Sequence, residues 1–296
     1  MTTPYLKVMF LLHLWALLVL AGRAGRGLFV SPFPRIFTGI VLIWSNLVLT
    51  AQMASTVGLL GRPEVYFAVS LLLQWLAVRG LRWACGELEP APPAETPGWW
   101  GELRVSRSSL VLLAGLGVVA VGVMLVAVSV LPNNWDTLAY RFARVMLFLG
   151  SGSIGHPAER IDPRILYYPY NGSALYLFLA QYEWTGVVWN LVSALTWLAA
   201  ALAVFYVPLS LGAPARAALA GAALFATTPI VLSLANSTND ELIAGTPLVI
   251  AILFLAQWLR NGHPAGLALS IASLALAAGT KLHIIFMAPY LVLAGA

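Results

Sequence analysis

The chain has 296 residues, of which 60% are hydrophobic and only 9% are charged, and its formal net charge is +5. A soluble globular domain carries about 25% charged residues, so this composition excludes a protein that is surrounded by water on all sides. The lysines and arginines lie mostly in short connections between apolar runs, where they orient membrane helices rather than bind nucleic acid. Cys85 is the only cysteine, which excludes an internal disulfide.

Apolar runs long enough to cross a bilayer, roughly 20 residues each, recur along the chain. They predict an all-α polytopic membrane protein with about 8–9 transmembrane helices, plus amphipathic juxtamembrane helices in an outer loop. The first run resembles the apolar part of a signal peptide, but Lys7 is its only flanking positive charge and no A-x-A site follows. A retained helix is therefore favoured. The predicted spans are Tyr5–Ala21, Ile36–Leu60, Glu64–Leu81, Ser108–Leu131, Val187–Leu211, Ala217–Ala235, Leu242–Leu259 and Gly266–Thr280, with a ninth that begins near Ile284 and is still running at Ala296.

The basic residues predict the orientation of these spans. They fall in connections that all lie on one side of the membrane if the spans alternate, and by the positive-inside rule that side is the cytoplasm. The connection around residues 82–107 is also rich in proline, which is typical of a mobile loop. The N-terminus and residues 132–186 and 236–241 are then expected outside the cytoplasm. The basic residues in question are Arg23, Arg26, Arg35, Arg79, Arg82, Arg104, Arg107, Arg216, Arg260 and His263.

The outer loop begins with a predicted amphipathic helix, Asp136–Leu149. Asp136, Tyr140 and Arg144 share one face at helical spacing, opposite an apolar stripe. This pattern is typical of a helix that lies in the membrane surface. Asp136 would then complement the helix dipole, and Arg144 would reach lipid headgroups. The apolar stripe consists of Leu138, Phe142, Val145 and Leu149.

The rest of the outer loop is polar and aromatic. Tyr167-Tyr168-Pro169-Tyr170 is consistent with either an interfacial aromatic belt or a sugar-binding surface. The apolar run Tyr170–Trp184 is only about 15 residues long, which favours an interfacial helix over a span. The polar residues before it are His156, Glu159, Arg160, Asp162 and Arg164.

A second acidic cluster, Asn236-Ser237-Thr238-Asn239-Asp240-Glu241, separates two apolar runs. Burying a carboxylate at the centre of a span costs about 2.5–3.5 kcal/mol, so these acids mark a helix end. A polar hairpin tip explains the cluster equally well as a functional site does. Lys281, at the end of the eighth predicted span, fits either an interfacial anchor or a cation for a lipid phosphate.

The order of these elements resembles the GT-C superfamily of membrane glycosyltransferases, in particular bacterial relatives of protein O-mannosyltransferases and aminoarabinose transferases. The resemblance rests on W-D-x-x-x-Y-R-x-x-R after a span, the Tyr-Pro element, T-P-I-V-L-x-x-A-N-S-T-N-D-E and G-T-K. It covers Ser108–Ala296. Residues 1–107 are then an additional three-helix segment with a proline-rich cytoplasmic loop, and residues 108–296 are a GT-C-like core with the outer loop 132–186, expected to continue beyond Ala296.

The resemblance implies an enzyme of the bacterial inner membrane. Such an enzyme moves a sugar, with inversion, from a polyprenyl-phosphate carrier to an acceptor on the outer face. An essential acid in the first outer loop matches Asp136, and a second acidic position matches Asp240. Arg141 stands where many relatives have histidine, and Pro169-Tyr170 replaces a proline pair.

Inverting transfer to an acceptor requires a base and cations for the leaving phosphate. Asp136 is the expected base, and Asp240 would orient the acceptor or share a divalent cation, Mg²⁺ or Mn²⁺, with Asp136. That cation is optional. The other expected site residues are Arg141, Arg144 and Lys281 for the donor phosphate, and Tyr140, Tyr168, Tyr170, Asn239 and Glu241 for the sugar or acceptor.

Two other functions stay open from the sequence. The first is a non-catalytic GT-C-like accessory subunit that packs against membrane lipids and other membrane proteins. The second is a transporter, which intramembrane charges would mark. The predicted spans contain almost no charged residues and no internal repeat, which disfavours transport.

Overall fold

The computed structural model of the protein describes residues 4–85, 90–93, 98–132, 134–155, 163–184, 186, 188–287 and 289. Over these residues the structure is helical and contains no β-sheet. The helices in chain order are α1 (Pro4–Leu28), α2 (Pro32–Thr56), α3 (Pro63–Cys85), α4 (Trp99–Val105), α5 (Arg107–Ser129), a π-helical turn (Thr137–Arg141), α6 (Phe142–Ser151), α7 (Pro163–Tyr167), α8 (Asn171–Gln181), α9 (Val188–Ser210), α10 (Ala215–Thr227), α11 (Pro229–Ala235), α12 (Asp240–Asn261), α13 (Pro264–Ala278) and a 3₁₀ turn (Leu282–Met287).

Several of these helices are long and apolar enough to cross a membrane. Within the described residues there are six: α1, α2, the Pro63–Leu81 part of α3, α5, α9 and α12. Helices α10 and α11 make a seventh if the bent pair is one span. The chain is therefore an integral membrane protein with six or seven candidate spans in the part that the structure describes, and a polytopic all-α fold is confirmed.

The count of 8–9 spans is not reached, for three reasons. The predicted span Ala217–Ala235 is bent by 66°, because Thr228 before Pro229 adopts an extended conformation with φ −58° and ψ 127°, as the residue before a proline prefers. The predicted span Gly266–Thr280 corresponds to α13, whose 15 residues fall short of the roughly 20 that a span needs. Most of the ninth predicted span lies outside the described residues, as do residues 156–162 of the outer loop.

The structure divides into two compact units, each made of two separate stretches of chain. Unit 1 comprises Met1–Pro90 and Asn133–Gly186, and unit 2 comprises Ala91–Pro132 and Val187–Ala296. The predicted division of the chain at residue 107, which rests on the resemblance, stays a prediction.

In unit 1, α1, α2 and α3 pack against one another, and α8 packs against α2 and α6. A buried chain of hydrogen bonds joins these helices: His13 Nδ1 lies 2.7 Å from the Tyr182 hydroxyl, His13 Nε2 lies 2.7 Å from Ser70 Oγ, and Ser70 Oγ donates to Asn46 Oδ1 over 2.5 Å. Because the only hydroxyl proton of Ser70 goes to Asn46, His13 Nε2 must donate to Ser70, and in the neutral ring Nδ1 accepts from Tyr182. The side chains of His13, Tyr182, Ser70 and Asn46 are thus satisfied by one another, whereas the buried side chains of Thr50 and Gln74 have no hydrogen-bond partner among the described residues.

In unit 2, α9 packs against α5, α10, α11 and α12, and α12 packs against α13. Small side chains dominate the core, and in membranes they let helices approach closely enough for van der Waals packing to hold them. The large side chain among them is Trp197, whose indole N–H donates to the Ala226 carbonyl over 3.2 Å. The buried core residues are Val123, Ala127, Ala194, Trp197, Ala200, Ala226, Ala235 and Leu242.

Side chains from neighbouring helices also satisfy carbonyls at helix ends. The last four carbonyls of a helix have no partner inside it, and an unpaired one in hydrocarbon costs several kcal/mol. Donors reach such carbonyls in both units. The pairs are Arg35 Nε to Phe29 O after α1, Asn190 Nδ2 to Val130 O after α5, and Arg260 Nη1 to Ser210 O at the end of α9. Gln181 Nε2 likewise donates to Leu60 O, in the turn between α2 and α3.

The helix predicted over Asp136–Leu149 turns its expected polar face into the protein, so Arg144 does not reach lipid headgroups. Tyr140 and Arg144, expected on the polar face, are buried, whereas Leu138 is 64% exposed. The helix begins with the π-helical turn, in which the Phe142 N–H bonds to the Thr137 carbonyl five residues back. Val145, expected on the apolar face, is buried as well.

Two turns of unit 1 meet backbone to backbone. Gly152, after α6, has φ +68°, and its carbonyl accepts the Leu60 N–H over 3.0 Å. A Cβ added to Gly152 would lie 2.5 Å from the Gly58 carbonyl oxygen. Gly58 itself has φ +69°, but a Cβ there would meet nothing within 4 Å. Both glycines therefore have a left-handed backbone, but only Gly152 also lacks room for a side chain.

We expect Gly152→Ala to lower the free energy of unfolding by about 2–5 kcal/mol, of which about 1–2 comes from the left-handed backbone and about 1–3 from overpacking. Gly58→Ala should cost only the first part. Thermal unfolding in detergent micelles, followed by tryptophan fluorescence, compares the two variants. Equal losses would show that the two turns do not constrain each other.

Candidate functional site

Asn134 positions the start of the outer helix. Its Oδ1 accepts the Thr137 N–H over 2.7 Å and the Thr137 hydroxyl over 2.6 Å, so Asn134 caps the start of this helix. The Asp136 side chain makes no capping hydrogen bond. Its carboxylate is instead 42% exposed and lies 3.4 Å from Arg164 Nη1, which leaves it accessible to other molecules.

Three guanidinium groups surround the ring of Tyr140, which is itself buried. The guanidinium carbons of Arg164, Arg141 and Arg144 lie 4.8, 5.1 and 5.7 Å from the ring centroid, within the range of cation–π attraction. Tyr168 meets the same ring edge to face at 5.7 Å. We call Tyr140, Arg141, Arg144, Arg164 and Tyr168 the arginine–tyrosine cluster.

Arg144 connects the cluster to the chain around it. It is only 1% exposed, and its guanidinium donates to the Pro169 carbonyl over 3.0 Å, the Ser173 hydroxyl over 3.3 Å and the Arg164 carbonyl. A planar guanidinium can serve several acceptors at once, which a lysine cannot. Arg144 thus fixes α7 and the start of α8 against α6.

Arg141 and Arg164 differ in their access to solvent. Arg141 is 3% exposed, and its Nη2 donates to the Tyr140 hydroxyl over 2.8 Å. The Arg164 side chain is 32% exposed and carries the contact to Asp136. Asp136 and Arg164 are therefore accessible to other molecules, whereas the guanidinium groups of Arg141 and Arg144 are buried beside them.

Tyr170 lies just beyond the cluster, at the N-terminal end of α8. Burial raises the pKa of its phenol above the usual value, so the hydroxyl stays protonated and able to donate at neutral pH.

The second acidic cluster lies in unit 2, in the first turn of α12. Asp240 is buried, with 8% exposure, and Glu241 forms an ion pair with Lys281. Both acids complement the N-terminal end of the helix dipole. Asn239 precedes them, and its side-chain oxygen is buried without a hydrogen-bond donor among the described residues. This oxygen is an acceptor that a ligand hydroxyl would satisfy.

The expected site residues are thus found in two groups. Unit 1 contains Asp136, Tyr140, Arg141, Arg144 and Tyr168, with Tyr170 just beyond the cluster. Unit 2 contains Asn239, Asp240, Glu241 and Lys281. Their roles stay predictions. Among the described residues, no group of three or more His, Cys, Asp or Glu side chains is arranged to hold a metal.

Sequence reasoning missed the contribution of Arg164 to the site. The contact joins residues 28 positions apart, and part of the polar stretch between them lies outside the described residues. The opposite charges of Asp136 and Arg164 within one loop were the available signal. Many other pairings in that loop had the same signal.

No protein family, curated protein or solved structure matches this chain.

We expect Arg144→Lys to lower the free energy of unfolding by about 2–3 kcal/mol, because an ammonium group leaves buried acceptors of the guanidinium unmet. The matched control is Arg164→Lys, at a partly exposed ion pair worth about 0–1 kcal/mol. Thermal unfolding in detergent measures both. A loss for Arg144→Lys no larger than that of the control would contradict a buried positioning role.

Proposed function

We propose that the protein is a membrane glycosyltransferase of GT-C type, which transfers a sugar from a polyprenyl-phosphate-linked donor to an acceptor outside the cytoplasm, with inversion. The observation that carries this proposal is the exposed carboxylate of Asp136 in contact with Arg164, beside the arginine–tyrosine cluster. One group that accepts a proton and others that balance a phosphate charge are what this reaction requires.

The reaction balances without a general acid. Asp136 takes the proton of the acceptor hydroxyl while the acceptor oxygen bonds to the anomeric carbon of the sugar. The bond from that carbon to the phosphate oxygen breaks, and its electron pair leaves with the polyprenyl phosphate. Because phosphate is a weak base, nearby cations suffice to stabilise it.

Within the cluster we assign the phosphate to Arg164 first. Its side chain is partly exposed and touches Asp136, whereas Arg141 and Arg144 are nearly fully buried. The two buried arginines then add a fixed positive potential, which acts more strongly in a low-dielectric surrounding. Arg144 additionally positions the chain on either side of Tyr168. The exposed ring of Tyr168 and the hydroxyl of Tyr170 suit the face and the polar edge of a sugar.

Asp240 is the proposed second acid, with Asn239 beside it as an acceptor for a hydroxyl group. In unit 2, Lys281 is held by Glu241, so a phosphate that binds Lys281 would replace a carboxylate as its partner. The arginine distribution supports an orientation that places these residues outside the cytoplasm, and the resemblance to GT-C enzymes supports a bacterial inner membrane.

A non-catalytic accessory subunit is the second candidate, and one observation favours it. Arg141 and Arg144 are 3% and 1% exposed, and Arg144 donates to groups of the protein itself. A cluster whose cations all serve internal contacts would stabilise an outer loop without any substrate. The two candidates differ in what Asp136 does.

Transfer of radiolabelled sugar from a polyprenyl-phosphate donor in membranes distinguishes them. We expect Asp136→Asn to reduce transfer at least 100-fold, within the range of about 10²–10⁴ that general-base catalysis contributes. Glu102→Gln is a suitable control, because Glu102 is also a partly exposed acid near the start of a helix that pairs with an arginine, Arg216, at 3.9 Å.

Full activity of Glu102→Gln together with the loss in Asp136→Asn supports an enzyme whose base is Asp136. Undiminished transfer by Asp136→Asn would show that Asp136 is not the base. Wild-type protein that elutes as a folded species but transfers no sugar from any polyprenyl-phosphate donor would favour the accessory subunit.

A further inference from the structure

A cavity of about 930 Å³ lies between the C-terminal parts of α1 and α3, in unit 1 and away from the residues discussed above. Both helices end in the segments that carry the arginines, so the cavity lies at the end of the bundle that the sequence assigns to the cytoplasm. Its lining residues are Leu20, Arg23, Trp75, Leu76, Val78, Arg79, Gly80 and Trp83.

The cavity carries two positive charges. Arg23 and Arg79 come from different helices, and both side chains are exposed. Among the described residues neither one forms an ion pair or a hydrogen bond, and Arg79 instead stacks over the Trp75 ring with 5.1 Å between guanidinium carbon and centroid. Guanidinium groups that line one cavity can bind phosphate oxygens through bidentate hydrogen bonds.

The remaining lining residues match the interface of a bilayer. Trp75 is 49% exposed and Trp83 is 87% exposed, and exposed tryptophans of membrane proteins concentrate at the depth of the lipid headgroups. Leu20 and Leu76 continue the cavity with apolar surface. A ligand that fits all three features has an anionic head and a hydrocarbon tail.

We propose that this cavity binds an anionic phospholipid, with its phosphate on Arg23 and Arg79 and the start of an acyl chain along Leu20 and Leu76. Basic pockets between spanning helices on the cytoplasmic side are suited to anionic lipid headgroups. The lipid would join α1 to α3 from the outside of the bundle. This site does not depend on the proposed transferase activity, since it uses none of the same residues.

Native mass spectrometry of the full chain, purified in detergent and titrated with a defined lipid, tests the proposal. We expect the wild type to bind dioleoyl phosphatidylglycerol in preference to dioleoyl phosphatidylcholine, which has the same acyl chains and no net charge. Each arginine near the surface contributes about fivefold to affinity, so Arg23→Gln or Arg79→Gln should weaken phosphatidylglycerol binding about fivefold and the double variant about 30-fold.

Arg26→Gln is the matched control, because Arg26 is exposed on the same helix and does not line the cavity. It should bind phosphatidylglycerol as the wild type does. Equal binding of the two lipids by the wild type would overturn the proposal without any variant. So would an equal loss in Arg26→Gln and the double variant, or displacement of the lipid by an equal concentration of glycerol 3-phosphate, which would indicate a site for a soluble phosphate.

Discussion

Backbone carbonyls that a helix cannot satisfy by itself are the constraint on which this structure depends. Water is absent from the bilayer core, so such groups must find donors inside the protein. The chain solves this with side chains that reach from one helix to the end of another, as Asn190 does for Val130, or to the turn that follows it, as Gln181 does for Leu60. Arg144 extends the solution to an irregular segment, because one guanidinium serves the carbonyls of Arg164 and Pro169. These polar side chains are therefore tolerated inside the protein because each one donates to a backbone carbonyl that would otherwise have no partner.

The geometry of the arginine–tyrosine cluster follows from that solution. Because Arg144 holds the backbone at residues 164 and 169, the side chain of Arg164 and the ring of Tyr168 are set against Tyr140 from two directions. The contact of Arg164 with Asp136 then places a carboxylate at the exposed edge of a positively charged group. Charges and dipoles that are fixed before a substrate arrives need no reorganisation during a reaction. The hydrogen bonds that satisfy the backbone thus also fix the positions of these charges before any ligand binds.

The sequence predicted best what is local. Helices α1, α2, α3, α5, α9 and α12 follow from length and hydropathy alone, because a span is defined by a continuous apolar run. The burial of Tyr140 and Arg144 was not predicted, since periodicity indicates which residues share a helix face but not what packs against that face. Pairings across the chain were also missed. Lys281 and Glu241 were expected to bind different parts of a substrate, yet these residues, 40 positions apart, contact each other, and only the tertiary fold brings α12 and the end of α13 together.

Arginines occupy two physical environments in unit 1, and the difference bears on what each can bind. Arg144 is buried and donates to groups that would be left unsatisfied if it moved. If Arg144 turned to a ligand, those buried acceptors would lose their donor, at the full free-energy cost of unpaired polar groups. Arg23 and Arg79 are exposed on apolar surface, where a new anion costs little desolvation and displaces no internal contact. Arg164 lies between these extremes, because its partner Asp136 is itself partly exposed and an exposed ion pair is worth about 0–1 kcal/mol. A phosphate can therefore compete for Arg164 or for the Arg23–Arg79 pair far more easily than for Arg144, whose charge acts on a ligand only from a distance.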